Sequence, residues 1–404
     1  MLTAFAACGD NPLGPGQQQA QVTPCTSGTA AGYACSGVGF VSLTTPAELG
    51  APPGTRLNDV WGWTDPSGGV EYALVGRRDG VTFVSLADPN HPKVIGHLPS
   101  EGGGASDWRD IKVYANHAFI VADGIFTHGV QIFDLTRLRS GGEFQLFSAD
   151  ARYADVGSSH NIVINEATGF AYSVGSGGVG NSCGGGLHMI DVSTPLSPQF
   201  AGCFAEAGTG RAGTGYTHDA QCVIYNGPDL DYAGNEICFG ANETDLAIAD
   251  VSNKSAPVSI ATATYPNASY VHQGWLTEDH RYFLMNDELD EFNGLVGKSR
   301  MLVWDVADLD DPILIREHLG PNLAVDHNVY VRGNIAYQSN YKFGIRLLDV
   351  ANPANPIEIG YFDTHPGSDL PEFGGAWSNY PFFNSGIIVV TSIDEGLFVL
   401  KRGS

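Results

Sequence analysis

Basic residues are scarce. The chain of 404 residues carries 20 lysines and arginines against 44 aspartates and glutamates, a formal net charge of −24. That field repels phosphate backbones and anionic lipid heads, which excludes nucleic acid as a partner and favours cations and basic protein surfaces. Long apolar runs are missing too: no segment approaches the eighteen or so apolar residues that span a bilayer. Heptads and long helical periods are absent. There is no Gly-x-Ser-x-Gly elbow, His-Glu-x-x-His, Walker loop or Cys-x-x-Cys-His, so no single motif announces an enzyme.

What the chain does have is a phrase it repeats. Val130-Gln-Ile-Phe-Asp134-Leu-Thr returns as Leu187-His-Met-Ile-Asp191-Val-Ser, Leu246-Ala-Ile-Ala-Asp250-Val-Ser, Met301-Leu-Val-Trp-Asp305-Val-Ala and Ile345-Arg-Leu-Leu-Asp349-Val-Ala. Looser copies are Val81-Thr-Phe-Val-Ser85 and Leu397-Phe-Val-Leu-Lys401. Fifth positions fall at 85, 134, 191, 250, 305, 349 and 401, so successive copies lie 44 to 59 residues apart. Repeats near fifty residues, each with room for several short strands, predict an all-β, seven-bladed β-propeller with four-stranded blades over residues 38–404. Gly 52 and Pro 22 suit the many turns this needs. The last blade runs out of chain after its third strand. The unassigned Val38-Gly-Phe-Val-Ser-Leu43 is predicted to complete it and close the ring.

Residues 1–37 hold few large apolar side chains and should not fold alone. They read as a tether, ordered only if the propeller surface, a disulfide or a partner holds them. Ala6-Ala-Cys8 followed by a Pro/Gly/Gln-rich run is similar to a bacterial lipobox and predicts a lipid anchor at Cys8, although the basic and apolar parts of a signal peptide are missing. The other six cysteines fall into neighbouring pairs: Cys25 with Cys35, Cys183 with Cys203, Cys222 with Cys238. No Cys-x-x-Cys spacing suggests a metal, so local disulfides in an oxidising compartment are expected, with buried free thiols as the alternative.

Aligning the predicted inner strands produces a column: Asn58-Asp59, Arg109-Asp110, His160-Asn161, His218-Asp219, His272-Gln273, His327-Asn328, Trp377-Ser378. Four successive blades put a histidine at one level. The plainer explanation is hydrogen bonding between blades. The alternative is a metal site, with zinc in view, held by His160, His218, His272 and His327 at one channel mouth. Asp287, Glu288, Asp290 and Glu291 make a second candidate, for Ca²⁺, in a long loop that lacks the spaced Asp-x-Asp-x-Asp-Gly pattern. The Gly-rich excursion 205–217 and this acidic loop break the repeat, and such decorations usually carry partner specificity.

Tyr216-Thr-His-Asp-Ala-Gln-Cys222, His272-Gln-Gly-Trp-Leu-Thr-Glu and Asn286-Asp-Glu-Leu-Asp-Glu291, with the Asp-Val-Ser/Ala phrases, resemble the bacterial choice-of-anchor B proteins and their LVIVD repeats. The resemblance covers about residues 55–404. It implies a secreted or surface-attached propeller and no established reaction, so it supplies no catalytic residues. The expectation is a non-catalytic extracytoplasmic module that binds or scaffolds proteins, as an accessory subunit on the periplasmic face of a membrane complex. The alternatives are a metal-dependent hydrolase or lyase at the histidine mouth, and a Ca²⁺-stabilised adhesion module.

Overall fold

The computed structural model describes residues 13–140, 142–180 and 182–403. Within them, seven antiparallel sheets of four radial strands follow one another in chain order. Blade 1 runs from the inner strand Leu57–Thr64 through Glu71–Arg77 and Gly80–Ser85 to the outer Lys93–Pro99, and blades 2 to 6 repeat the plan with inner strands from Arg109, Asn161, Asp219, Val271 and Val329. Blade 7 takes Ala376–Tyr380, Ile387–Ser392 and Gly396–Arg402 from the C-terminus and its outer strand, Val38–Thr44, from the N-terminal side. The two chain ends pair antiparallel, from Val38 opposite Arg402 to Thr44 opposite Leu397, which closes the ring as expected.

The repeated phrase is the third strand of each blade. Its apolar residues, such as Phe83, Phe133, Met189, Ile248, Trp304, Leu347 and Phe398, are buried because neighbouring blades cover both faces. Phe83 stacks on Phe133 across a blade junction at 4.6 Å and Phe239 on Phe283 at 5.4 Å. The aspartate that ends the phrase makes a turn and no site. Its carboxylate accepts the N–H two residues on: Asp134 from Thr136 (2.9 Å), Asp191 from Ser193 (2.9 Å), Asp250 from Ser252 (2.8 Å), Asp305 from Ala307 (3.0 Å) and Asp349 from Ala351 (2.9 Å). This is an Asx turn, which only a short acceptor side chain can make.

Disulfides join Cys25 to Cys35, Cys183 to Cys203 and Cys222 to Cys238. These pairs indicate an oxidising, extracytoplasmic environment. No helix among the described residues is long and apolar enough to cross a membrane.

Residues 13–37 are held by the chain itself. Tyr33–Ser36 adds to the outer strand of blade 6, with Cys35 opposite Phe362. Thr23 and Phe40 exchange backbone hydrogen bonds. The Gln17 amide donates to Leu86 O at 2.7 Å and accepts from Glu71 N at 3.0 Å. No partner has to be invoked for their order. Cys8 lies outside the described residues.

Candidate metal centre at the channel mouth

Inner strands of a propeller run in one direction around the axis, so their first residues meet at one mouth. The column therefore becomes a set of tiers. His160, His218, His272 and His327 form a staircase, each ring centroid 4.2 Å from the next, with tilts of 40–49°. The loops leaving the second strands and those entering the inner strands surround the same mouth and supply Asp123, Tyr216, Tyr270, Glu288 and Tyr341. Gly175, at φ +58°, lets two of these groups approach; a Cβ there would lie 2.6 Å from His160 Cβ and 2.7 Å from the Tyr216 hydroxyl.

The histidines use the two edges of their rings differently. On one edge they tie blades: His218 Nδ1 lies 2.7 Å from the His272 carbonyl and His327 Nδ1 2.5 Å from the Trp377 carbonyl. A carbonyl only accepts, so Nδ1 carries the proton and Nε2 keeps its lone pair. His160 Nδ1 meets Asp123 Oδ2 at 2.9 Å, and His272 Nδ1 is buried without a partner. On the other edge, His272 Nε2 is 3.9 Å and His327 Nε2 3.6 Å from the two Glu288 oxygens. Ligand atoms of His272, Glu288 and His327 all lie within 4.8 Å of one another. Tetrahedral zinc bonds of about 2.0–2.2 Å place ligand atoms roughly 3.4 Å apart, and the two histidine–Glu288 distances lie close to that spacing.

The electrostatics fit. Burial, together with the neighbouring imidazoles, holds His218 and His272 well below the ordinary histidine range, and burial lowers His327 to about 3. All three are neutral at pH 7, the form that binds metals. Burial raises the Glu288 carboxyl against the opposing hydrogen bond from Tyr341 Oη at 2.5 Å. For Asp123 burial acts upward too, but the His160 contact, Ser158 and the Gly124 N–H outweigh it and bring it to about 2. Above the set lies a cavity of about 240 Å³ bounded by Trp108, Tyr216, Tyr270 and Trp377.

The next tier explains several of the polar residues in the second place of the column. Asp59 Oδ2 accepts Ile111 N at 3.0 Å, Asp110 Oδ2 accepts Ile162 N at 2.8 Å, Asn161 donates to His218 O at 2.8 Å and Gln273 accepts Val329 N at 2.8 Å. These are the ties between blades. They leave Asp59 beside Asp110, and burial together with that neighbour raises Asp59 to about 8. An acid whose folded pKa lies above its unfolded value binds extra protons when folded, so stability is present at low pH and falls as pH rises from about 4 towards 8. Asp59→Asn keeps the acceptor for Ile111 and needs no proton. We expect its melting temperature to exceed wild type at pH 8 and to match or fall below it at pH 4.5; a parallel pair of pH–Tm curves would contradict this.

The acidic loop does not act as one group, which corrects the Ca²⁺ expectation. Successive residues of its tight turn point in different directions. Asp287 accepts from Tyr265 Oη (2.7 Å), Ser269 N (2.6 Å) and Tyr270 N (2.7 Å); Asp290 pairs with Arg300 at 2.6 Å; Glu291 accepts Arg300 N at 2.8 Å. Glu288 alone turns into the mouth. Asp123 and Tyr341 were not foreseen. The signal was available, because both stand within two residues of the end of a second strand, as Glu288 does.

Segments 229–263 and 327–364 match a known repeat. The match is to the LVIVD repeat. The first runs from the turn before the second strand of blade 4 to the end of that blade. The second covers all four strands of blade 6. Both matched segments contain the third strand and its turn, and the second also takes in His327 at the mouth. Among solved structures, the chain is similar to a protein from Lactobacillus plantarum (TM-score 0.55, 11% identity, 83% of this chain and 88% of that one). It is similar to the β-propeller domain of Cps50 (Swd1) from Myceliophteria thermophila (0.55, 12%, 86% and 96%) and to Kuenenia stuttgartiensis hydrazine synthase (0.55, 12%, 83% and 93%). At such identities the likeness establishes the fold alone. No curated protein matches the sequence.

Proposed function

We propose that this chain is an extracytoplasmic β-propeller that binds a divalent transition-metal ion of the zinc class at its channel mouth and presents it to a ligand in the cavity above. One observation carries the reading: one ligand atom each from His272, His327 and Glu288 lie within 4.8 Å of one another, with both Nε2 atoms facing the Glu288 carboxylate. The Nδ1 of His327 is already engaged by a carbonyl. Two imidazoles and one carboxylate favour zinc over Ca²⁺, which prefers an all-oxygen shell. Three protein ligands leave a coordination position facing the cavity, next to the His160–Asp123 pair, and that is the arrangement metal-assisted hydrolysis or lysis requires.

A second reading, a docking face for a protein partner, is favoured by the aromatic side chains Trp108 (48% exposed), Phe126 (60%), Phe292 (48%) and Phe373 (40%). Phe292 and Phe373 stack at 4.9 Å. Aromatic rims of this kind are common in protein interfaces. The resemblance to choice-of-anchor B proteins supports a surface location, with Cys8 as the anchor and a membrane complex as the partner.

The test is elemental analysis after purification without chelators and dialysis against zinc. One equivalent is expected in wild type and none in the His272→Ala/His327→Ala double variant. Wild type without stoichiometric zinc, or a folded double variant that retains it, would overturn the proposal.

A further inference from the structure

The opposite end of the channel has a different chemistry. Inner-strand side chains alternate in direction, so the residues two places after the polar tier face the channel again. They are Trp61, Lys112, Val163, Gln221, Trp275, Tyr330 and Tyr380. Rings from blades 5, 6, 7 and 1 gather into one cluster. Trp61 lies 5.1 Å from Tyr380 and 5.6 Å from Tyr330, Trp275 lies 5.1 Å from Tyr330, and Phe382 lies 5.3 Å from Tyr380. Gly62 permits this, because a Cβ there would sit 2.1 Å from the Tyr380 ring. Between the cluster and the rims of blades 3 and 4 lies a cavity of about 450 Å³, within the size range of small-molecule sites.

Three observations decide what kind of molecule suits it. First, the cluster already faces positive charge: Lys112 Nζ stands 4.5 Å over the centre of the Trp61 ring, and Trp275, Tyr380 and Phe382 line the cavity only half-buried. Ring faces are the negative side of the aromatic quadrupole. Lys112 does not make the floor positive, because Asp110 neutralises it at 2.5 Å. Second, Glu166 stands at the cavity rim, an exposed carboxylate with no ion pair or hydrogen bond among the described residues. Third, the amides that would grip a neutral polyol are largely engaged. Asn165 donates to Glu236 at 2.8 Å and accepts Ala167 N at 3.1 Å, and Gln221 accepts Leu276 N at 2.7 Å.

We propose that this cavity binds an organic ammonium ion, with its charged head among Trp275, Tyr380 and Phe382 and Glu166 as counter-charge. The site is independent of the metal reading and lies at the other end of the channel. Choline is the probe, and 3,3-dimethylbutan-1-ol, which has the same shape without the charge, is the control. Binding is read by calorimetry and by quenching of tryptophan fluorescence. Choline is expected to saturate the site at least tenfold more tightly than the alcohol. Glu166→Gln, an exposed position that leaves the fold intact, is expected to weaken choline about five- to tenfold and leave the alcohol unchanged. Tyr380→Leu is expected to weaken choline further, with its melting temperature checked alongside. Equal affinity for choline and the alcohol, no saturable choline binding, or Glu166→Gln without effect would each overturn the proposal. Zinc stoichiometry should stay at the wild-type value in Glu166→Gln, so failure here is distinguishable from failure of the mouth site.

Discussion

Replacing Val38–Thr44 with a Gly/Ser linker is expected to abolish the cooperative unfolding of the propeller. Among the described residues, this strand is the only one blade 7 takes from the N-terminal side. Without it, the backbone groups of Gly396–Arg402 that face it lose their partners along the register from Val38 to Thr44. At about 1 kcal/mol net per hydrogen bond that is already several kcal/mol. Val38 and Val41 are buried, as are Leu397 and Leu400 opposite, and each apolar side chain of this size adds about 1.5–3 kcal/mol. The sum reaches the whole stability of an ordinary domain, about 5–15 kcal/mol. An exposed apolar edge would also invite aggregation. Calorimetry and limited proteolysis give the answer. A melting temperature within a degree of wild type would mean that the ring is not closed by this strand.

Arg300→Met is expected to cost about 3–5 kcal/mol, the usual penalty for breaking a buried ion pair from one side. Arg300 and Asp290 are both buried and lie 2.6 Å apart. The guanidinium also donates to the Pro266 and Asn267 carbonyls, at 3.1 and 3.2 Å. Around it sit Glu291 and Asp326, which burial pushes upward, and Asp290, raised to about 6 chiefly by burial. Such acids bind more protons folded than unfolded, so their contribution falls as pH rises above 4. Removing the one cation among them steepens that fall. The deficit of Arg300→Met should therefore be smaller at pH 5 than at pH 8. Glu288 shares this loop, so zinc occupancy should drop as well. A Tm within a degree of wild type at both pH values would refute the argument.

The acidic loop shows where reading residues in a row succeeds and where it stops. Asp287, Glu288, Asp290 and Glu291 look like one ligand set in the sequence because they are neighbours. In the fold they serve three purposes: capping a neighbouring loop, pairing with Arg300, and turning into the mouth. Turn geometry decides which, and nothing in the composition encodes it. The histidine column was legible because one residue type recurs at the blade period. Its meaning was not, since the Nδ1 edge that ties blades and the Nε2 edge that faces Glu288 belong to the same ring. The tail is a third case. Its composition said that it needs support, and only the placement of Tyr33–Ser36 against Ile357–Phe362 identified the support as the chain itself.

By itself, then, the sequence determined the blade count, the closing strand and the level at which the histidines stand, and it placed the six cysteines in neighbouring pairs without deciding that they are bonded. Each of these follows from periodicity or from short separations along the chain. Tertiary structure alone decided that His272, His327 and Glu288 converge, and that an aromatic cavity lies at the far end. Those groups meet because the ring closes and the loops fold inward, and convergence across blades leaves no period in the sequence to read.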